Sequence, residues 1–257
     1  MIVGKYGKLA PKFNPKTLKL KKYLMRPNMP PPPAKLWREF KIPADAWQMF
    51  GNDTIGDCTC AAVAHMLMLV TAHTGTIVIP TLADVVGMYS AVTGYDPTQT
   101  QPDGSNPTDN GAAITDILNY WQTTGLAGHK ILGWGQIDNT NINLNKLGMY
   151  IFAATDIGVQ VPASAETQFA AGQAWTPVTP DGGIQGGHSV PNFGEGAQGE
   201  SCVTWSKRQE MTWDWFTKYG DESYVVVTQD WVNNATGLAP NMLNMDALVA
   251  DLAAIKA

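Results

Sequence analysis

An unbroken apolar run from Cys58 to about Thr71 constrains the fold of this 257-residue chain more than any other stretch. The run contains no Gly or Pro and is rich in Ala, Leu and Met, which favours a buried helix over a strand. Asp57 precedes it and is of a residue type that caps helices, so we expect Cys58 in the first helical turn. Backbone N–H groups and the positive end of the helix dipole stabilise a thiolate there, so Cys58 is a candidate nucleophile.

The charge of the chain is divided unevenly along its length. Residues 1–41 carry eleven Lys and Arg against one acid, about +10, which leaves about −15 for the remainder of a chain whose net charge is −5. This asymmetry predicts a basic arm that binds the acidic body of its own chain, a neighbouring subunit in a homo-oligomer, or a polyanion. The basic residues are scattered without a folded module around them, which does not favour nucleic acid.

Several function classes are disfavoured by composition. Hydrophobic residues make up 44% of the chain and nine are Trp, which indicates a filled core. The longest apolar run is far shorter than the ~20 residues of a membrane span, and the first residues lack an apolar signal core, so we expect a cytoplasmic or virion-associated protein. Three cysteines are too few for a disulfide scaffold, and Cys202 is expected to be a free buried thiol. No metal or cofactor is expected.

The order of helical and strand-like patterns predicts an α+β fold. Residues 1–33 form an arm that ends in the prolines of 30–33, and residues 34–257 form the folded domain. We predict a helical lobe over about 48–128, a strand-rich antiparallel lobe over about 129–232, and a C-terminal helix at 244–255. The predicted helices are 58–71, 81–91, 112–123 and 141–147, the predicted strands are 130–134, 150–154, 158–161, 188–193, 201–205 and 224–228, and 177–187 is a predicted loop.

A thiol nucleophile needs a base within hydrogen-bond reach, and the chain has four histidines. His65 lies seven residues from Cys58 on the same helix, roughly 10.5 Å away by helix rise, and is expected to be structural. His73 suits the negative end of that helix, and His129 is expected to be structural at a strand start. His188 follows two glycines and enters a predicted strand, which gives close approach and rigidity, so it is the best candidate base.

Several motifs share an order and a spacing. Leu36–Arg38 comes about twenty residues before Cys58, Asn52 stands six residues before it, and His188 follows it by 130 residues. Asp109–Ala112, Gly187–Gly194 and Val203–Ser206 complete the series. Together they resemble the papain-like cysteine peptidases, over roughly 36–228. The Gly51–Cys58 loop is also similar to that of uncharacterised papain-like proteins of bacteria and their phages.

The resemblance implies a papain-like fold with a cleft between its two lobes, and a role for each matching residue. Cys58 would be the nucleophile and His188 the base, while Asn52 and the Cys58 backbone N–H would hold the oxyanion. The third catalytic position falls on Thr204 by count, or on Val203 if the tryptophan sets the register. Trp205 would shield the imidazole.

This sequence also departs from the family pattern. Asn52 stands where the family has a longer Gln, and neither Thr204 nor Val203 is the usual Asn. Asn192, four residues after His188 on the same strand face, is a further candidate to orient the imidazole. Asp57 would oppose thiolate formation if its charge faces the sulfur.

Two functions remain open from the sequence. The leading hypothesis is a cysteine peptidase or amide hydrolase that acts on a peptide or protein substrate through an acyl-thioester. The alternative is a catalytically weak or inactive papain-like module of a phage particle or surface assembly, with the arm used for assembly. A third interpretation, in which residues 1–33 are a pro-segment over the cleft, is disfavoured because the arm lacks a helical pattern.

Overall fold

A computed structural model describes residues 4–12, 14, 17–19, 42–73, 75–195 and 199–228. The prolines of 30–33, the Leu36–Arg38 motif and the predicted C-terminal helix at 244–255 lie outside these residues. Within them, the chain forms six α-helices and a six-stranded antiparallel sheet, so the predicted α+β class is confirmed.

Three helices form the first part of the domain. They are α1 (Cys58–His73), α2 (Leu82–Thr93) and α3 (Ile114–Thr123), close to the predicted bounds. Helix α1 is buried on all sides, because its apolar run leaves no polar face. Helix α2 begins with a capping box between Thr81 and Asp84 and ends at Gly94, whose φ of 78° is in the left-handed region.

The second part is one antiparallel sheet with three short helices between its strands. The strands are β1 (Ile131–Ile137), β2 (Thr155–Pro162), β3 (Ile184–Glu195), β4 (Glu200–Thr204), β5 (Lys207–Met211) and β6 (Gly220–Thr228), and the helices are α4 (Ile142–Phe152), α5 (Ala163–Ala170) and α6 (Trp213–Tyr219). The strands lie side by side in the order β1-β6-β2-β3-β4-β5.

The predicted strand at 150–154 is wrong. Residues 150–152 continue helix α4, which the Asn141 side chain caps by accepting from the Leu144 amide, and the chain turns at Ala153 with a φ of 72°. A short apolar run buried on all sides has no period that separates a helix from a strand. The predicted loop 177–187 is also too long, because β3 already begins at Ile184, and α5, α6 and β5 were not predicted.

Helix α1 packs against β3, and this contact positions the functional residues. One apolar core fills the space between α1, α2, α3 and the sheet, and a second lies between β2, β3, α5 and α6. The first turn of α1 therefore meets the middle of β3 at the edge of both cores. In the part of the chain described here, no helix is long and apolar enough to cross a membrane.

Candidate active site

Cys58 is the first residue of α1, as predicted, and is 1% exposed. The Asp57 carbonyl starts the helix by accepting hydrogen bonds from the Cys60 amide at 2.8 Å and the Ala61 amide at 3.0 Å. The Asp57 side chain does not cap the helix as expected, because neither carboxyl oxygen has a hydrogen-bond partner among the described residues. The cysteine is thus placed by backbone geometry, with the Asp57 carboxyl fully buried beside it.

His188 lies on β3, and a hydrogen bond to a neighbouring strand fixes its ring. Its Nε2 is 2.7 Å from the Thr204 hydroxyl at the end of β4, and its ring stacks on Trp205 at 5.0 Å between centroids. The next residue along β3, Ser189, directs its backbone amide at the Cys58 sulfur. His188 thus contacts Thr204 and Trp205, and its neighbour Ser189 lies next to Cys58. Of the two candidates for the third position, Thr204 is the one that contacts the imidazole.

Asn52 lies beside the first turn of α1 and is 3% exposed. Its side-chain amide donates to two carbonyl oxygens, those of Lys5 at 2.9 Å and Ile55 at 3.1 Å. One of these carbonyls belongs to a segment more than forty residues earlier in the chain. The Asn52 side-chain amide can therefore donate to a carbonyl of a separate segment that enters the site.

Asn192 is completely buried, but it does not hold the imidazole. The Nε2 of His188 is bonded to Thr204, and neither polar atom of the Asn192 amide has a hydrogen-bond partner among the described residues. Its backbone pairs with Thr155 and Cys202 in the sheet.

Residues 4–9 of the N-terminal arm cross the site, and 'the arm' from here on means the described residues 4–12. The Lys5 amide donates to the Asn52 carbonyl at 2.7 Å, and the Lys8 amide donates to the Gly187 carbonyl at 3.1 Å. Gly7 packs so tightly that a Cβ there would lie 1.6 Å from the Gly56 carbonyl oxygen. The Gly7 amide also faces the Cys58 sulfur.

Residues 4–9 are held in place without forming a helix. Residues 4–9 need no helix, since their backbone groups bond directly to both walls: the Gly7 carbonyl accepts from the Ala112 amide at 2.8 Å, and the Leu9 amide donates to the Ala112 carbonyl at 3.0 Å. Three basic side chains pair with acids of the body, Lys5 with Asp109, Lys8 with Asp221 and Glu222, and Lys12 with Asp116.

Comparison with solved structures identifies the architecture. Xylellain, a cysteine protease from Xylella fastidiosa, matches with a TM-score of 0.60 and 15% identity over 88% of this chain and 96% of its own. The chain has a papain-like fold. Procathepsin B S9 of Trypanosoma congolense (10% identity, 89% and 87% coverage) and digestive procathepsin L 3 of Tenebrio molitor (12%, 88% and 75%) match with TM-scores of 0.46 and 0.43. No protein-family model and no curated protein matches the sequence.

Both candidate catalytic groups are buried, and burial shifts their two pKa values in opposite directions. Burial raises the pKa of Cys58 to about 11, although the Gly7 and Ser189 amides and the Lys8 charge partly offset it. Burial also lowers the pKa of His188 to about 3, and the positive charges of His65 and Lys8 contribute. With the arm bound, the pair is therefore a neutral thiol and a neutral imidazole.

The Asp57 carboxyl adjoins the candidate nucleophile, and its charge is one of the causes that raise the pKa of Cys58. Its carboxyl is 0% exposed, and desolvation raises its pKa well above the usual range, while its own backbone and Asn52 only partly offset this. Asp57 and burial therefore act in the same direction on Cys58, since both disfavour the thiolate.

The other histidines and cysteines have structural surroundings. His65 is 3% exposed, its Nε2 lies 3.0 Å from the Gln48 carbonyl, and burial lowers its pKa to about 4. The His129 backbone bridges to Leu126, and the side chain of His73 is not described. Cys60 and Cys202 are free and buried. Among the described residues, no three His, Cys, Asp or Glu side chains are grouped closely enough to hold a metal ion.

Sequence reasoning missed the residues that the arm brings to the cleft and those that receive it. Tyr6 packs edge-on against His188 at 6.0 Å between ring centroids, and its hydroxyl donates to Glu166 at 2.5 Å. The side chain of Lys8 enters the body between Asp221 and Glu222. The adjacent acids of β6 were visible in the sequence, but no local pattern connects them with a lysine more than two hundred residues earlier.

Proposed function

We propose that this protein is a cysteine peptidase or a related amide hydrolase whose nucleophile is Cys58 and whose general base is His188. The supporting observation is the hydrogen bond of 2.7 Å between His188 Nε2 and the Thr204 hydroxyl. If the ring donates through Nε2–H, its Nδ1 carries the lone pair that a base needs. That nitrogen is buried and has no hydrogen-bond partner among the described residues.

The reaction has two steps. Nδ1 of His188 takes the thiol proton, and the Cys58 sulfur attacks the substrate carbonyl carbon to form a tetrahedral oxyanion. The imidazolium then gives its proton to the leaving amine as the carbon–nitrogen bond breaks, which leaves an acyl-thioester. A water molecule, deprotonated by His188, hydrolyses this ester and restores the thiol.

Asn52 and the Cys58 backbone N–H stabilise the oxyanion in this mechanism. The Asn52 amide donates to a carbonyl of the arm at 2.9 Å, which supports its capacity to donate to a carbonyl within the cleft. Thr204 orients the ring by accepting from Nε2–H, and Trp205 shields that bond from water.

The arm-bound form is a resting state in this proposal. A neutral thiol is a weak nucleophile, and an imidazole with a pKa of about 3 is a weak base near neutral pH. Displacement of residues 4–9 rehydrates both groups and moves both pKa values toward their usual ranges. The alternative function, an inactive module whose arm serves assembly, draws support from the same neutral pair.

Alkylation of the thiol separates the two functions. The full chain carrying Gly7→Ala, whose new Cβ cannot fit against Gly56, is treated with iodoacetamide at pH ~6 and the label is mapped by mass spectrometry. We expect rapid labelling of Cys58, a loss of about 100-fold when His188→Ala is added, and little label on Cys60 or Cys202. Thr204→Val slows labelling less than His188→Ala, and Thr204→Asn retains it.

Equal and slow labelling of all three cysteines in the Gly7→Ala background would exclude the peptidase function and favour the inactive module. Gly87→Ala is the matched control, because a Cβ at Gly87 meets no atom within 4 Å.

A further inference from the structure

The side chain of Lys8 fills a pocket next to the candidate nucleophile. Its ammonium group lies 3.0 Å from Asp221 Oδ2 and 2.9 Å from Glu222 Oε1, and the side chain is 0% exposed. The ammonium donates hydrogen bonds to Asp221 Oδ2 and, at 3.1 Å, to the Leu9 carbonyl, whereas its contact with Glu222 Oε1 is an ion pair. We call this site the acidic pocket and define it by Gly158, Gln160, Gly187, Asp221 and Glu222.

Hydrogen bonds that do not involve Lys8 also hold the walls of the acidic pocket. The Gln160 amide donates to Asp221 Oδ2 at 2.7 Å, and the Tyr224 hydroxyl donates to Glu222 Oε2 at 2.7 Å. These bonds fix both carboxylates on β6 and leave Glu222 Oε1 directed at the ligand.

Two glycines make room for the bound lysine. A Cβ at Gly158 would lie 2.1 Å from Lys8 Cε, and a Cβ at Gly187 would lie 2.4 Å from the Lys8 carbonyl oxygen. Any larger residue at Gly158 would close the space that the stem of the lysine occupies.

The charge of the acidic pocket favours a cation. The Glu222 side chain is 1% exposed, and that of Asp221 is 22% exposed. Burial raises the pKa of Glu222, and the Lys8 ammonium lowers it. An uncharged apolar side chain in the same place would leave the buried Glu222 carboxylate without a cation to compensate its charge, which is costly.

The position of the acidic pocket relative to the dyad fixes which substrate residue it would receive. The Gly7 amide faces the Cys58 sulfur, Tyr6 packs against His188, and Lys8 lies on the other side of Gly7. Because His188 must protonate the leaving amine, the leaving side of a substrate lies with Tyr6. The acyl residue then lies at Gly7, and the residue before it lies at Lys8.

We propose that the acidic pocket is a specificity subsite for the lysine or arginine side chain that precedes the acyl residue of a peptide substrate. This inference rests on the proposed function. The arm occupies the same subsite with its chain direction reversed, since its Tyr6 precedes Gly7 and Lys8. In that direction the Tyr6–Gly7 peptide bond has its nitrogen on the acyl side and its carbonyl on the leaving side, which is the opposite of a productive substrate.

Substrate preference tests the subsite directly. The full chain with Gly7→Ala is assayed with peptides that carry Gly at the acyl residue and Lys, Arg, norleucine or Glu before it. We expect kcat/KM for Lys to exceed that for its uncharged analogue norleucine by about 10- to 100-fold, with Arg close to Lys and Glu the poorest. Glu222→Gln and Asp221→Asn each reduce this ratio, whereas Asp214→Asn, an exposed carboxylate outside the acidic pocket, leaves it unchanged. Equal rates for Lys and norleucine would overturn the proposal.

A second measurement needs no turnover. In the full chain without Gly7→Ala, labelling of Cys58 by methyl methanethiosulfonate at pH ~9 reports how often the arm leaves the cleft. We expect Lys8→Met to speed labelling by about 10- to 100-fold and Lys8→Arg to leave it within a few-fold of the original. Glu222→Gln should act like Lys8→Met.

The two measurements separate the two proposals. If no peptide is cleaved but Lys8→Met and Glu222→Gln both release the thiol while Lys8→Arg does not, the peptidase function fails and the cation selectivity of the acidic pocket stands. If Lys8→Met has no effect on labelling, the cation selectivity fails whatever the peptides show.

Discussion

His65 and His188 are both almost completely excluded from solvent, but different parts of the chain exclude it. The ring of His65 lies between Trp47 and Phe50, with centroid distances of 5.6 and 5.1 Å, in the core behind α1. His188 stacks on Trp205 on one side, and Tyr6 of the arm packs edge-on against it at 6.0 Å. Burial thus lowers both pKa values, but the core alone buries His65, whereas residues 4–9 help to bury His188.

The comparison teaches that burial at the candidate site belongs partly to a segment that lies outside the main apolar core. Residues 4–9 contribute no apolar side chain to the main core, and their backbone bonds are made to loops and to the edges of the cleft. Elements of this kind open at a lower free energy than the core does. Variants that act on the arm should therefore change the surroundings of His188 and leave those of His65 unchanged.

The largest expected effect comes from Gly7→Ala. The added Cβ would lie 1.6 Å from the Gly56 carbonyl oxygen, a backbone atom that cannot move aside, so the arm must leave. We expect labelling of Cys58 to rise by about 100-fold or more over the unmodified chain, measured by mass spectrometry at pH ~7. Gly87→Ala should not change the rate. An unchanged rate in Gly7→Ala would show that the core buries the thiol, as it buries His65. The candidate site would then not depend on residues 4–9 for its burial.

The sequence alone indicated where Cys58 and His188 lie in the fold, but not that residues 4–9 cover them. The helix start at Cys58 follows from a long apolar run, and His188 from a glycine pair that enters a strand, both of which are local signals. The family spacing of sixteen residues after His188 identified Thr204, which contacts His188 because β4 pairs with β3. The strand predicted at 150–154 failed because a run of apolar residues without a period is ambiguous.

The arm over the cleft could not be read from the sequence for a physical reason. Its contacts join residues that are far apart, such as Lys8 and Asp221 at a separation of 213 residues, and they are mostly backbone bonds that carry no side-chain pattern. The charge asymmetry predicted that a basic arm meets an acidic surface, but it did not say which one. Position within the cleft depends on Gly7, and one glycine among twenty-five has no distinguishing signal in the sequence.

A smaller effect is expected in the pH dependence of folding. The pKa of His65 is lowered to about 4, so its neutral form stabilises the fold above the usual pKa of 6.5, and this contribution is lost as the pH falls through the interval toward 4. Between pH 7 and pH 5 the loss is about 2 kcal/mol from this group. His65→Gln, which keeps a donor for the Gln48 carbonyl, should remove that share of the pH dependence in chemical unfolding.

His188 provides the contrast in the same experiment. Its lowered pKa gives a loss of the same sign in the arm-bound chain, so His188→Gln should also flatten the pH dependence there. In the Gly7→Ala background, the loss of unfolding free energy caused by His188 at low pH should be smaller, whereas the loss caused by His65 should be unchanged. Equal shares for His188 in both backgrounds would contradict the view that the arm sets its pKa.

The smallest effect is expected for Lys12 at the outer end of the arm. Lys12 and Lys8 both pair with an aspartate, so the comparison of the two tests the effect of burial. Lys12 pairs with Asp116, but their side chains are 56% and 35% exposed, whereas the Lys8 side chain is 0% exposed. An exposed pair is screened by salt and contributes at most about 1 kcal/mol, so Lys12→Met should speed Cys58 labelling by no more than about 5-fold. Raising NaCl from about 0.1 M to about 1 M should erase even that difference, because the Debye length falls to about 3 Å. If Lys12→Met released the thiol as fully as Lys8→Met, the arm would be held by its overall charge and not by the acidic pocket.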